Sequence, residues 1–179
     1  RGADMNTATL DRTEATSAMS YEEIQAFLFA EARALDYRDW DTWLAFYHKD
    51  CPFWMPAWDD YDTLTEDPAN EISLMYYPNK QGIEDRVFRI KTDRSSATSL
   101  PEPRTNHYLS GIEVLARTGS EIKLRFNWQT LSYRYGATDQ HWGTSFYTVD
   151  ITGPNPLITD KKVVLKNDHI HHVIDVYHT

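Results

Sequence analysis

The sequence predicts an α+β fold in which a curved antiparallel sheet wraps around helices from the N-terminal half of the chain. Apolar residues before residue 92 recur at helical spacing, whereas from Arg104 onward large and polar residues alternate with a period of two. Helices followed by four or five long strands are typical of an α+β domain with segregated helices. A strongly curved sheet would bury one face of each strand and enclose a cone-shaped pocket.

Three helices are predicted in the first half of the chain. Ser20 and Glu23 have the spacing of a capping box, which predicts the start of the first helix. A second, short helix runs through the aromatic-rich segment 40–47. Gly82 opens the third helix. Its apolar residues and interleaved arginines are Ile83, Val87 and Ile90, with Arg86 and Arg89.

The strands are predicted from short apolar runs and from alternation. Alternation is clean between Ile122 and Gln129 but changes phase at Thr130. A one-residue shift reverses the faces of a strand, so this change predicts either a bulge near Thr130 or a sheet covered on both faces. The other strands are predicted at 51–55, 72–77, 108–116 and 142–151, with an acidic loop at 56–70.

The C-terminal segment is predicted to form a hairpin in which residues 161–166 pair with residues 169–177 about an Asn-Asp turn. Alternation would place two of its histidines on one strand face, a spacing that a metal can use. No carboxylate or thiolate with clear spacing completes the ligand set, so no metal site is predicted. The histidines are His169, His171, His172 and His178.

Composition predicts one domain over residues 20–179, preceded by a flexible segment, 1–19, whose first four residues are interpreted as an expression-vector remnant. The chain of 179 residues is long enough for one sizeable core. It contains no signal peptide and no run approaching the roughly 18 apolar residues of a membrane helix, so a cytoplasmic protein is expected. With 18 basic and 27 acidic residues and no basic cluster, neither nucleic acid nor a membrane is an expected partner.

The chain has a single cysteine, Cys51, which excludes a disulfide framework within it. A Rieske cluster needs two cysteines and two histidines, and other iron–sulfur clusters need more thiolates. Cys51 has no activating histidine nearby in the sequence, so a buried structural thiol is favoured over a nucleophile. No cofactor is therefore predicted in this chain.

Several unusual runs carry a family resemblance. Residues 53–60 read Phe-Trp-Met-Pro-Ala-Trp-Asp-Asp, and residues 84–97 read Glu-Asp-Arg-Val-Phe-Arg-Ile-Lys-Thr-Asp-Arg-Ser-Ser-Ala. Further runs lie at 64–68, 71–74 and 103–107. From about residue 20 to residue 177, the chain resembles the small (beta) subunit of aromatic-ring-hydroxylating dioxygenases of the benzoate or toluate type.

The resemblance implies the cone-shaped fold of scytalone dehydratase and of nuclear transport factor-like proteins. It also implies a non-catalytic structural subunit that assembles with a large (alpha) subunit, usually as an α3β3 hexamer that includes other small subunits. The large subunit would carry a Rieske 2Fe–2S cluster and a mononuclear Fe(II). The complex would convert benzoate or a related aromatic acid to a cis-dihydrodiol with O2 and NADH-derived electrons. The lack of thiolates and of a 2-His-1-carboxylate pattern in this chain agrees with redox chemistry on another chain.

A second interpretation, from a different functional class, is a self-contained lyase or isomerase. Asp36 follows the first helix and His107 lies on the first long strand. In scytalone dehydratase-like relatives such residues line the pocket, and an Asp–His pair in an apolar cone is able to move a proton. A small-ligand-binding protein that uses the same cone is a third interpretation. Glu31, on an apolar helix stripe, is expected to pair with an arginine of the third helix or of the sheet rather than act as a base.

Two groups of residues are predicted to lie at subunit interfaces. Interfaces favour aromatic residues and arginine, with a polar rim. Residues 54–62 are therefore expected to contact the large subunit or a neighbouring small subunit. Arginine pairs well with carboxylates, so the arginines could instead bind an anion or form ion pairs within the chain. The predicted interface residues are Trp58, Asp59 and Tyr61 of the loop, together with Arg86, Arg89, Arg94 and Arg104.

Overall fold

The computed structural model describes residues 19–59, 61–92, 101–167 and 170–179. The described residues form helices α1–α3, strands β1–β6 and a C-terminal 3-10 helix. They confirm the expected α+β class with a curved sheet around N-terminal helices. The elements are α1 Tyr21–Asp36, α2 Trp40–Ala45, β1 Phe53–Pro56, β2 Ser73–Tyr77, α3 Lys80–Lys91, β3 Arg104–Arg117, β4 Glu121–Arg134, β5 Ala137–Asp150, β6 Leu157–Leu165 and the 3-10 helix Val176–His178.

The strands form one sheet in the order β2-β1-β6-β5-β4-β3. Every pairing is antiparallel except that of β1 with β6, which is parallel, so the expectation of a purely antiparallel sheet needs this one correction. Helix α1 lies against β3, α3 lies against β2, and α2 packs between α1 and α3. The apolar core fills the space between these helices and the concave face of the sheet. None of the helices in the described ranges is long and apolar enough to cross a membrane.

The prediction of a C-terminal hairpin is wrong. Strand β6 pairs with β5 along one edge and with β1 along the other, so it has no free edge for a hairpin partner. Residues 170–175 are irregular and lead into the 3-10 helix, which packs on β4. The alternation of apolar residues in the C-terminal segment 170–179 therefore reflects burial against the sheet and not strand pairing.

The expected bulge near Thr130 is also absent from the described β4. Pairing between β4 and β5 runs from Glu121 to Arg134 without a register shift, and Thr130 and Ser132 continue the buried phase of the strand. The sequence changes phase because these inward positions hold small polar residues, which leave room for the C-terminal segment. The Ser132 hydroxyl lies 3.5 Å from Nε2 of His178. The outer face is not fully covered, since Tyr133 remains exposed there.

The helix starts follow local rules. At α1 the predicted capping box is present: Ser20 Oγ accepts from the backbone N–H of Glu23 at 3.2 Å, and the Glu23 carboxylate accepts from that of Ser20 at 2.6 Å. Helix α3 begins two residues earlier than predicted, at Lys80, with Asn79 as its cap. Gly82 lies within its first turn. A glycine is favoured there because a Cβ would stand 2.7 Å from the Tyr77 ring.

Substituting Gly143 tests how tightly β5 and β6 are packed. A Cβ at this position would overlap the carbonyl oxygen of Val164 and lie 3.2 Å from Nε1 of Trp128. Gly143→Ala is expected to lower the free energy of unfolding in urea by about 1–3 kcal/mol, since overpacking forces the backbone to move. Gly119→Ala is the matched control, because a Cβ there meets no atom within 4 Å. Equal free energies of unfolding for the two variants would contradict the close packing of β5 against β6 at Gly143.

Candidate functional site

The interior of the sheet contains a buried ion pair between α1 and β6. Lys161 Nζ lies 3.1 Å from Oε1 of Glu31, and Lys161 is fully buried. The same carboxylate oxygen accepts from Nε1 of Trp43 at 2.9 Å and from the hydroxyl of Tyr47 at 2.6 Å. Four aromatic rings surround the ammonium group, the nearest being that of Phe53 at 4.8 Å. Glu31 is therefore paired as expected, but with a lysine of the sheet and not with an arginine.

Burial and the opposite charges of Glu31 and Lys161 shift the pKa values in this cluster. Burial acts to raise the pKa of Glu31, but the charge of Lys161 and the hydrogen bonds from Tyr47 and Trp43 outweigh it and leave the pKa below its usual value. Burial lowers the pKa of Lys161, and Glu31 acts against that shift. Burial also raises the pKa of Tyr47 well above its usual value. Breaking a pair that is sealed from solvent destabilises the fold, because it leaves one buried charge uncompensated, and the pair offers no reactive group to a substrate.

The structure brings Asp36 and His107 together. Asp36 ends α1, and its Oδ1 lies 2.6 Å from Nδ1 of His107 on β3, while its Oδ2 accepts from the backbone N–H of His107 at 3.1 Å. The His107 side chain is 2% exposed. Burial acts to raise the pKa of Asp36, but the hydrogen bonds and charge of His107 outweigh it, and the pKa is lowered overall. The pair borders a surface depression that Phe29 and Tyr37 also line.

The predicted interface arginines have different surroundings. Arg86 donates from Nε to Oδ1 of Asp175 at 2.8 Å and makes a second bond to Oδ2, so it holds the C-terminal segment within the subunit. The hydrogen bonds that Arg86 donates to Asp175 raise the pKa of Arg86. Arg89 and Arg104 are exposed and remain candidates for contact with another chain. Arg94 lies outside the described residues.

The aromatic loop that follows β1 is anchored at one point and otherwise open. Trp58 donates from Nε1 to the carbonyl of Leu165 at 2.7 Å, yet it is 43% exposed. Asp59 Oδ1 accepts from the backbone N–H groups of Tyr61 and Thr63 at 2.9 and 2.8 Å, which fixes the turn. Tyr61 is 88% exposed. Trp58 and Tyr61 thus present large aromatic surface to solvent, which is what a protein interface uses.

The described C-terminal histidines do not converge on one site. His178 is buried and stacks near His141, with ring centroids 4.7 Å apart, whereas His172 is exposed and lies 3.6 Å from a carboxylate oxygen of Asp139. Over the described ranges, no group of three or more His, Cys, Asp or Glu side chains is arranged to hold a metal ion. His169 lies outside those ranges. Cys51 is buried, and burial raises the pKa of its thiol to about 12, which disfavours the thiolate that a nucleophile needs.

Acidification is expected to destabilise the fold through His178. Burial, reinforced by the nearby His141, lowers the pKa of His178 from 6.5 to about 3. The unfolded chain then binds more protons than the folded chain between these values, so stability falls as the pH falls below 6.5. The free energy of unfolding is expected to drop by about 1.4 kcal/mol per pH unit down to roughly pH 4.5, above the range where carboxyl groups titrate.

Urea unfolding of His178→Asn at pH 7.5 and 5.0 checks this expectation. The difference in the free energy of unfolding between the two pH values should be much smaller in the variant. Part of the difference should remain, because burial also lowers the pKa of His141. His48→Asn serves as the surface control and should retain the wild-type pH dependence. An unchanged pH dependence in His178→Asn would contradict the assignment.

Comparison with solved structures confirms the cone-shaped fold. The beta subunit of the benzoate 1,2-dioxygenase from Burkholderia mallei superimposes with a TM-score of 0.78 and 48% identity, covering 91% of this chain and 99% of that chain. A candidate scytalone dehydratase from Novosphingobium aromaticivorans shares the fold at a TM-score of 0.61 and 11% identity, covering 87% of this chain and 91% of that chain. The second likeness concerns the fold alone.

Sequence comparisons identify the family. The toluate 1,2-dioxygenase subunit beta of Pseudomonas putida is 57% identical over 160 residues, covering 89% of this chain and 98% of that protein. These similarities support the dioxygenase-subunit interpretation and not the lyase or isomerase interpretation based on Asp36 and His107. Residues 30–172 match the family model described as the ring hydroxylating beta subunit, and the chain belongs to this family of small dioxygenase subunits.

Proposed function

We propose that this chain is the structural small subunit of a dioxygenase complex that oxidises benzoate or a closely related aromatic acid to a cis-dihydrodiol. In this complex the chain holds large subunits beside one another in an α3β3 hexamer. The large subunit carries the Rieske cluster and the mononuclear Fe(II), and electrons come from NADH. Because that reductant is made in the cytoplasm, we place the complex there.

One observation carries the proposal: similarity to benzoate and toluate dioxygenase small subunits extends over nearly the whole length of the chain. The geometry agrees with a supporting role. The ionisable groups at the centre of the fold, Glu31 and Lys161, neutralise each other out of reach of solvent. The aromatic surface of the 58–62 loop, in contrast, is left open to a partner.

Reconstitution tests the proposal. The chain, a large subunit of a benzoate-type dioxygenase and the matching reductase are purified separately and combined with NADH, O2 and benzoate. Dihydrodiol formation is expected only when both subunits are present, with iron retained by the large subunit. Turnover of an aromatic acid by this chain alone, or full activity of the large subunit without it, would overturn the proposal.

Tyr61 is the sharpest probe of the proposed interface. It is 88% exposed, so Tyr61→Ala should leave the stability of the isolated chain unchanged. Loss of an aromatic anchor at an interface costs about 2 kcal/mol or more, so the dissociation constant of the complex should rise at least tenfold. Tyr37→Ala, at a site 79% exposed on the helical side, is the matched control and should not affect assembly. Equal dissociation constants for both variants, measured by light scattering over a dilution series, would remove the loop from the interface.

A further inference from the structure

Three neighbouring strands carry a row of buried polar residues on the concave face of the sheet. His107 on β3 lies directly opposite Thr130 on β4, and Thr130 lies directly opposite His141 on β5. Residues directly opposite one another on paired strands project from the same face, with Cβ atoms about 5 Å apart. Thr130 is fully buried and His141 is 5% exposed. The three side chains therefore meet inside the cone, next to the Asp36 carboxylate.

The adjacent row on the same face contributes a fourth polar group. Two residues along each strand, Leu109 lies opposite Trp128, and Trp128 lies opposite Gly143. Trp128 is buried and lies two residues from Thr130 on the same face of β4. We call the four residues His107, Trp128, Thr130 and His141 the inner polar patch.

The inner polar patch concentrates hydrogen-bonding groups that lack a protein partner. In the part of the chain that the structure describes, four buried side-chain nitrogen or oxygen atoms have no hydrogen-bond partner, and all four belong to the patch: His107 Nε2, Trp128 Nε1, Thr130 Oγ1 and His141 Nδ1. Most buried polar atoms in proteins are bonded, and leaving one without a partner destabilises the fold. Four such atoms on two adjacent rows indicate a site that is completed by an occupant.

The chemistry of the four atoms defines the occupant. Asp36 Oδ1 bonds to Nδ1 of His107, so Nε2 is the ring nitrogen left to face the interior. The indole N–H of Trp128 only donates, and the Thr130 hydroxyl both donates and accepts. An O–H group matches this set, because it both donates and accepts. A carboxylate does not, since it would lie beside the carboxylate of Asp36.

We propose that the inner polar patch is an internal binding site for a hydroxyl group, supplied either by an ordered water or by a small neutral alcohol or phenol. Asp36 and His107 also line a surface depression, and Ser132, the next inward residue of β4 after Thr130, lines a cavity with Tyr177 and His178. Burial lowers the pKa of His141 and so favours its neutral form, which suits a neutral occupant. This inference does not depend on the proposed assembly.

Phenol titration of the full-length chain by calorimetry tests the proposal, with toluene as the probe that lacks the hydroxyl. Thr130→Val removes one patch hydroxyl at nearly constant shape. Thr144→Val on β5 is the matched control, because Thr144 is also buried but its hydroxyl bonds to Asn127 at 3.4 Å. Phenol is expected to bind the wild type and Thr144→Val alike, to bind Thr130→Val at least tenfold more weakly, and to bind more tightly than toluene.

Crystal structures with and without phenol separate the two sources of the hydroxyl. A phenol oxygen bonded to His107 Nε2 identifies a ligand site. An ordered water that bridges two or more patch atoms, is retained in phenol and is lost in Thr130→Val identifies a hydration site. If Thr130→Val does not fold, Thr130→Ser, which keeps the hydroxyl, must preserve the bound oxygen. Absence of any oxygen within hydrogen-bonding distance of the four atoms in the wild type would overturn the proposal.

Discussion

Replacing Lys161 with methionine is expected to lower the free energy of unfolding by about 3–5 kcal/mol, because the change leaves the Glu31 carboxylate buried without its counter-charge. The loss should have a distinctive pH dependence. Without Lys161, burial raises the pKa of Glu31 in the folded state, so the folded chain binds the extra proton and the loss shrinks as the pH falls from 7 toward about 5. Urea unfolding at both pH values measures the effect.

Two further variants separate the buried charge from general damage. Lys162→Met alters the next residue of β6, whose ammonium lies over the Trp54 ring at 4.4 Å on the other face of the strand, and should cost less than about 1 kcal/mol. Combining Lys161→Met with Glu31→Leu removes both charges and should recover part of the lost stability. A Lys161→Met protein as stable as Lys162→Met would contradict the buried ion pair.

Replacing Arg86 with leucine is expected to lower the free energy of unfolding by about 3 kcal/mol. The change leaves the Asp175 carboxylate buried without its counter-charge, since Asp175 is only 2% exposed. The same change should release the C-terminal segment, because Arg86 ties it to α3. Urea unfolding measures the stability, and hydrogen exchange of the amides of residues 170–179 measures the release.

Arg89→Leu is the matched control on the same helix. Arg89 is exposed, so this change should alter the free energy of unfolding by less than about 0.5 kcal/mol and leave exchange in the C-terminal segment unchanged. Equal protection of residues 170–179 in both variants would show that Arg86 does not hold the segment.

Elements fixed by local rules could be predicted from the sequence, and elements fixed by distant pairing could not. The capping box at Ser20 depends on two residues three positions apart, so the start of α1 was predictable to the residue. The end of the chain was not, because the decisive fact, that both edges of β6 are taken, involves β1, more than a hundred residues away. The turn at Tyr135 and Gly136, both with positive φ, did have a local signal in the glycine.

The residues of the candidate sites divide in the same way, into those with a local signal in the sequence and those that depend on distant pairing. Asp36 and His107 stood out because residues at such positions line the pocket in scytalone dehydratase-like relatives, and the fold does bring them together. Glu31 stood out because a carboxylate on an apolar stripe needs a partner. Lys161 did not, although its place two residues before Val163 on β6 indicated an inward position. A row such as His107, Thr130 and His141 requires the register of three strands, which no single segment encodes.

The central claim, that this chain assembles with a large subunit and leaves the metals to it, is tested most directly by co-expressing the two chains. Size-exclusion chromatography with light scattering gives the mass of the complex, and iron analysis of the separated subunits locates the metal. The account predicts a coloured complex with three copies of each chain and iron confined to the large subunit. A colourless chain that elutes alone beside an assembled, iron-containing large subunit would contradict it.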